Sequence, residues 1–90
     1  MKHVNIVVKG RVQGVFFRKS AQEKAYELRI SGYVFNEPNG SVYIEAEGMD
    51  EDLEEFIQWC HEGPDGAEIT DVKVNKGVFK NYEDFEINYG

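Results

Sequence analysis

Val8-Lys9-Gly10-Arg11-Val12-Gln13-Gly14-Val15-Phe16-Phe17-Arg18 joins two patterns of different period. Upstream, Val4, Ile6 and Val8 alternate with His3, Asn5 and Lys9, the two-residue period of a strand. Val7 interrupts the polar set, so this strand is expected to be central and covered on much of its second face. His3 has no ligand or catalytic partner near it in sequence and is expected to be an exposed strand residue. Downstream, Phe17, Ala21, Ala25 and Leu28 recur at helical spacing, with Tyr26 and Ile30 flanking the same face. The spacing predicts a helix from Phe17 to Arg29, ended by Ser31-Gly32, with Gly32 as a left-handed cap.

A strand-to-helix loop with two glycines and no proline can turn several N–H groups toward one point. The helix N-terminus adds its partial positive charge there. Arg18 supplies a full charge and a planar fork suited to phosphate oxygens. A cation is unwelcome at a helix N-terminus unless an anion sits beside it. The stretch therefore reads as an anion cradle for a phosphoryl group. The plainer alternative is a turn in which Gly10 and Gly14 serve only geometry.

Tyr33-Val34-Phe35-Asn36 reads as a second strand, followed by the turn Glu37-Pro38-Asn39-Gly40, where Asn and Gly both accept positive φ. The returning strand, Val42 to Glu47, places Val42, Ile44 and Ala46 inward and Tyr43, Glu45 and Glu47 outward. Asp50-Glu51-Asp52 open a second helix, in which Leu53, Phe56, Ile57 and Cys60 share a face and Trp59 borders it. Gly63-Pro64 stops it. Ala67 to Val78 reads as a strand whose apolar phase shifts between Ile69 and Val72, which predicts a bulge. A last edge strand carries Phe85, Ile87 and Tyr89 on one face. The expected fold is α+β, a ferredoxin-like βαββαβ sandwich with two helices on one face of an antiparallel sheet, in a single domain over residues 1–90.

The net charge of −7 is unevenly spread. Residues 1–36 carry seven basic and two acidic side chains, whereas residues 37–90 carry three basic and fifteen acidic ones. Positive charge thus gathers around the proposed cradle, although acidic residues also simply solvate a surface. The acidic total argues against a nucleic-acid partner. One cysteine, Cys60, allows no internal disulfide, and a reducing, cytoplasmic location is the expectation. No long apolar run and no leader are seen, so neither a membrane span nor a membrane partner is expected.

Several chemistries lack their residues. Gly10 to Gly14 gives neither the spacing nor the lysine of a Walker loop. A cysteine phosphatase wants its thiolate six residues before the arginine, a position held here by Val12. No Ser/His/Asp set is evident, two histidines make no zinc site, and the carboxylates of the second helix read as dipole matching. No metal or cofactor is expected. A phosphate cradle without nucleophile or general acid suits a leaving group that departs unaided. A carboxylate qualifies, since its conjugate acid has a pKa of roughly 4. The residues thus point to mixed anhydrides such as acyl phosphates.

Val8-x-Gly10-x-Val12-Gln13-Gly14-Val15-x-Phe17-Arg18 resembles the first signature of the acylphosphatase family. Gly32-Tyr33-Val34-x-Asn36-x-x-x-Gly40-x-Val42, with Gly48 six residues on, resembles the second. The resemblance covers nearly the whole chain and implies metal-free hydrolysis of the carboxyl–phosphate bond of acyl phosphates. It implies that backbone N–H groups of Gln13, Gly14, Val15, Phe16, Phe17 and Arg18 bind phosphate, that the Arg18 side chain binds it too, and that the Asn36 amide orients the attacking water. Inorganic phosphate is then product and inhibitor, and a monomer is expected. Phe35 departs from the family pattern, which usually has a basic or polar residue there, but it points away from the Asn36 side. Asn36 as a mere hairpin cap is the structural alternative.

Two other readings compete. Tyr33, Phe35 and Tyr43 offer aromatic surface for an RNA-binding sheet, against which the acidic second half weighs. The chain also resembles the acylphosphatase module of carbamoyl-transfer maturation proteins. Those modules sit in longer chains, so a free-standing enzyme is the expectation.

Overall fold

The computed structural model describes residues 1–89. Its elements are β1 (Lys2–Arg11), α1 (Phe17–Glu27), β2 (Ser31–Asn36), β3 (Val42–Gly48), α2 (Asp50–Glu62), β4 (Glu68–Lys76) and β5 (Phe85–Ile87). They form a two-layer sandwich, with sheet order β4-β1-β3-β2-β5. The βαββαβ reading holds. The sheet is nevertheless mixed, because β5 pairs parallel to β2 with Phe85 opposite Gly32. Alternation within a strand carries no information about the direction of its partner, so this one edge escaped the expected antiparallel pattern.

The core lies between the sheet and the helices. Ile6, Val8, Val34, Val42, Ile44, Ala46 and Phe85 face Phe17, Ala21, Ala25, Leu53, Phe56 and Cys60. Burial pushes the Cys60 thiol up, which keeps it neutral and inert. Ala21 and Ala25 let α1 lie close to the sheet. The predicted bulge is present. Lys9 pairs with Asp71 but Gly10 with Ile69, leaving Thr70 as the extra residue.

Helix α1 stops earlier than its spacing predicts. Ile30 N–H donates to the Ala25 carbonyl at 2.8 Å and Arg29 N–H to the Tyr26 carbonyl at 3.3 Å, which is a Schellman end. The left-handed residue is Arg29, at φ 60°, and not Gly32. Gly32 lies inside β2 at φ 142°, where a Cβ would collide with the Glu45 carbonyl of β3. Its role is close approach between strands rather than capping.

The sheet face turned away from the helices corrects a further expectation, the exposure of His3. His3 is only 4% exposed, and Glu45 and Glu47 are buried beside it. His3 Nδ1 meets Glu47 at 2.6 Å, and its Nε2 meets Glu45, which also accepts from Tyr43 and Asn5. Both ring nitrogens face carboxylates, an arrangement that needs two ring donors or a proton on one carboxyl. The segment after β4 folds over this cluster. Gly77 N–H donates to the His3 carbonyl, and Lys80 and Tyr82 N–H donate to Glu47. Phe35 joins Tyr33, Tyr43 and Tyr82 in an aromatic layer on the same face.

Burial alone would push Glu47 up, but His3 and the N–H groups of Lys80 and Tyr82 outweigh it and hold the carboxyl below its ordinary 4.5. A carboxyl held low by folding stabilises the native state above its ordinary value, and that contribution disappears as pH falls through the folded value. Glu47→Ala is therefore expected to cost about 3–5 kcal/mol at neutral pH by urea denaturation. Glu47→Gln should show a flatter loss of stability below about pH 4.5 than wild type. An unaltered acid profile contradicts this.

Candidate active site

β1 and β2 both run antiparallel to β3, and β5 runs parallel to β2. The carboxyl ends of three strands therefore gather at one end of the sheet. The loop after β1, Asn36 at the end of β2 and the residues after β5 meet there around a cavity of about 300 Å³. Its lining includes Gly14, Phe16, Phe17, Arg18 and Asn36. Arg18 and Asn36, 18 positions apart in the chain, thus share one concavity.

The loop is built for donors. Gly14 takes φ 75° and Phe16 φ 61°, so the backbone reverses twice before α1 begins. Among the described residues, the N–H groups of Gln13 through Phe16 meet no carbonyl acceptor. Helix α1 has no capping side chain and no acid in its first turn, so its leading N–H groups and partial positive charge stay uncompensated. Arg18 is half-exposed in that turn. Its guanidinium lies 4.7 Å from the Tyr89 ring centroid, and Nη1 makes a long 3.4 Å contact with the Asn88 carbonyl.

Asn36 Oδ1 is buried without a hydrogen-bond partner. An unpaired buried acceptor costs about 1–3 kcal/mol, so folding alone does not favour this placement of the side chain. The main-chain turn beyond Asn36 is closed without its side chain, by Glu37 N–H on the Ser41 carbonyl and Ser41 N–H on Asn39 Oδ1. That removes the hairpin-cap reading of Asn36.

Gln13 and Val15 do not line the cavity. The Gln13 amide donates to the Glu37 and Ser41 carbonyls at 2.8 and 3.0 Å, which ties the loop to the β2–β3 hairpin. Val15 packs against the core. Conversely, Lys19, Ile87 and Tyr89 line the cavity without having been singled out. The Phe85-Ile87-Tyr89 alternation was the available signal, but it becomes informative only once β5 is known to run beside β2 in the same direction.

Among the described residues, no set of three or more His, Cys, Asp or Glu side chains is arranged to hold a metal ion. No helix is long and apolar enough to cross a membrane. The arrangement is suited to a tetrahedral anion, with a helix N-terminus and one guanidinium against it and a neutral amide opposite. Fold and site together define a small α+β sandwich with a cationic cavity at one end of its sheet.

Comparison with known proteins narrows this class. The acylphosphatase family model matches residues 4–87. The chain is 47% identical over 88 residues to an acylphosphatase of Shewanella amazonensis, covering 97% of each chain. It is 44% identical over 85 residues to one of Geotalea uraniireducens, covering 93% of each. The crystal structure of acylphosphatase from Bacillus subtilis superimposes with a TM-score of 0.96 at 34% identity, over 99% of this chain and 100% of that one. The chain belongs to the acylphosphatase family, enzymes that hydrolyse acyl phosphates.

The tie made by Gln13 is testable apart from phosphate binding by the backbone. Gln13→Ala removes two hydrogen bonds and is expected to cost about 1–3 kcal/mol of stability. It should also lower kcat on acetyl phosphate about tenfold or more, by loosening the loop relative to Asn36. Wild-type kcat in the variant would show that the tie does not position the site.

Proposed function

We propose that the chain acts as a single-domain, metal-independent acylphosphatase whose phosphate cradle is the loop Gln13–Arg18. Backbone N–H groups of Gln13, Gly14, Val15, Phe16, Phe17 and Arg18 hold the phosphoryl oxygens, and the Arg18 guanidinium neutralises them. Asn36 orients the attacking water through its side-chain amide. Water adds to phosphorus, the bond from phosphorus to the acyl oxygen breaks, and carboxylate leaves without needing a proton. The water's proton passes to the phosphate oxygens and solvent. The same reading takes the enzyme as a cytoplasmic monomer acting on small acyl phosphates, with inorganic phosphate as product and inhibitor and no nucleic-acid or membrane partner.

The observation that supports this reading is that Arg18 and Asn36 line one cavity, while Asn36 Oδ1 meets no hydrogen-bond partner among the described residues. Magnitudes divide the labour. A unit-charge pair at 4 Å and an effective dielectric near 20 is worth roughly 4 kcal/mol before desolvation, so Arg18 dominates binding. Asn36 brings no charge, and its contribution is positional.

Acetyl phosphate should be turned over in excess chelator, with competitive inhibition by inorganic phosphate, whereas an alkyl phosphate should not. Arg18→Gln should weaken phosphate inhibition by about a hundredfold and abolish turnover. Asn36→Ala should lower kcat by about a hundredfold or more while leaving phosphate inhibition nearly intact. Equal loss of phosphate affinity in both variants would contradict the assigned roles.

A further inference from the structure

Among the described residues β4 is the one long free edge of the sheet. We propose that it pairs antiparallel with β4 of a second copy of this chain, with Val72 on the two-fold axis. The sheet order β4-β1-β3-β2-β5 leaves two edges. β5 spans three residues, whereas β4 spans nine, from Glu68 to Lys76, with no proline among them. Seven of the nine are exposed, and no described strand lies along their outer side. An edge of that length is a template for another strand unless charge or shape forbids it. Here the charges select a partner.

The pairing of β4 with β1 fixes which residues share a face. Val72 and Val74 lie opposite Val8 and Ile6, on the face the helices cover, while Asp71 and Lys73 lie opposite Lys9 and Val7, on the open face. A two-fold axis between antiparallel neighbours stands normal to the sheet, so facing residues come from the same face. With the axis on Val72, Asp71 of each copy faces Lys73 of the other. On the helix-covered face Val72 meets Val72. Thr70 is the extra residue of the bulge, so Val74 comes level with Ile69 beyond it. Val74 is 39% exposed in the single chain, and Ile69 and Val72 are half-buried against the core. Moving the axis one residue either way destroys the match. It sets Asp71 against Asp71 or Lys73 against Lys73, and like charges directly opposite are unfavourable.

Both charges are available for this. Among the described residues neither Asp71 nor Lys73 makes an ion pair within the chain, although Lys9 lies opposite Asp71. Exposed ion pairs add little energy each, so backbone hydrogen bonds and the valines supply the affinity while charge fixes the register. The interface is small and the association weak. No residue lining the cavity of Arg18 and Asn36 belongs to β4, so each chain remains a complete catalytic unit. At the high dilution of an enzyme assay it is the monomer proposed above.

Sedimentation equilibrium from about 10 µM to about 1 mM reads the association. Wild type should move toward twice the monomer mass as concentration rises, and less so in about 1 M salt. Asp71→Lys and Lys73→Asp, each checked for folding by urea denaturation, should each self-associate about tenfold or more weakly, because like charges then face each other across the axis. An equimolar mixture of the two variants should recover the association, since opposite charges face again in the mixed pair alone. Wild type that stays monomeric at the highest concentration overturns the proposal, and is the result expected of an edge reserved for another protein's strand. Self-association that both single variants retain, or that the mixture does not restore, overturns it as well.

Discussion

β3 is hydrogen-bonded along its length to two strands that both run against it, β1 on one side and β2 on the other. That constraint aligns the carboxyl ends of β1 and β2, and the parallel pairing of β5 adds a third. Each strand end then delivers a different kind of group to one place. β1 leads into a loop whose N–H groups meet no carbonyl acceptor among the described residues, β2 ends in a neutral amide, and β5 ends beside an aromatic ring that packs on a guanidinium. The fold contributes convergence, and the residues at the strand ends contribute the chemistry.

Convergence also has to be made rigid, and short-range packing does this. Phe17 is buried in the core at the first residue of α1, which fixes where the helix N-terminus lies. Gln13 fastens the loop to the hairpin carbonyls on either side of its turn. The loop can therefore leave its own backbone donors unpaired without collapsing. Electrostatics supports the same end. The basic first part of the chain builds β1, the loop and α1, while the acidic remainder includes the first turn of α2, where the helix dipole favours it.

The opposite face of the sheet is organised by separate physics. His3 lies between two carboxylates of β3, and the segment after β4 donates backbone N–H groups to one of them. This polar cluster covers the face that no helix covers and secures the path leading to β5. Because β5 positions Tyr89, the cluster bears on the cavity only through the chain path.

The sequence alone was enough for the two helices, the hairpin at Asn39-Gly40 and the bulge near Thr70. All of these rest on local rules, periodicity and turn chemistry, whereas the link between the strand–helix loop and Asn36 came only from the family resemblance. Tertiary structure decided what those rules leave open. Alternation assigned Glu45 and Glu47 to the outer face, but it could not reveal that a segment more than 30 positions later would fold over them, nor that His3 lay opposite across the strands. Helical spacing ran past Glu27 because it does not register a left-handed arginine. The direction of β5, and with it the arrival of Tyr89 at the cavity, depends on which strand edge remained free to pair. A side-chain period states which way a residue faces, and only the assembled chain determines what stands opposite it.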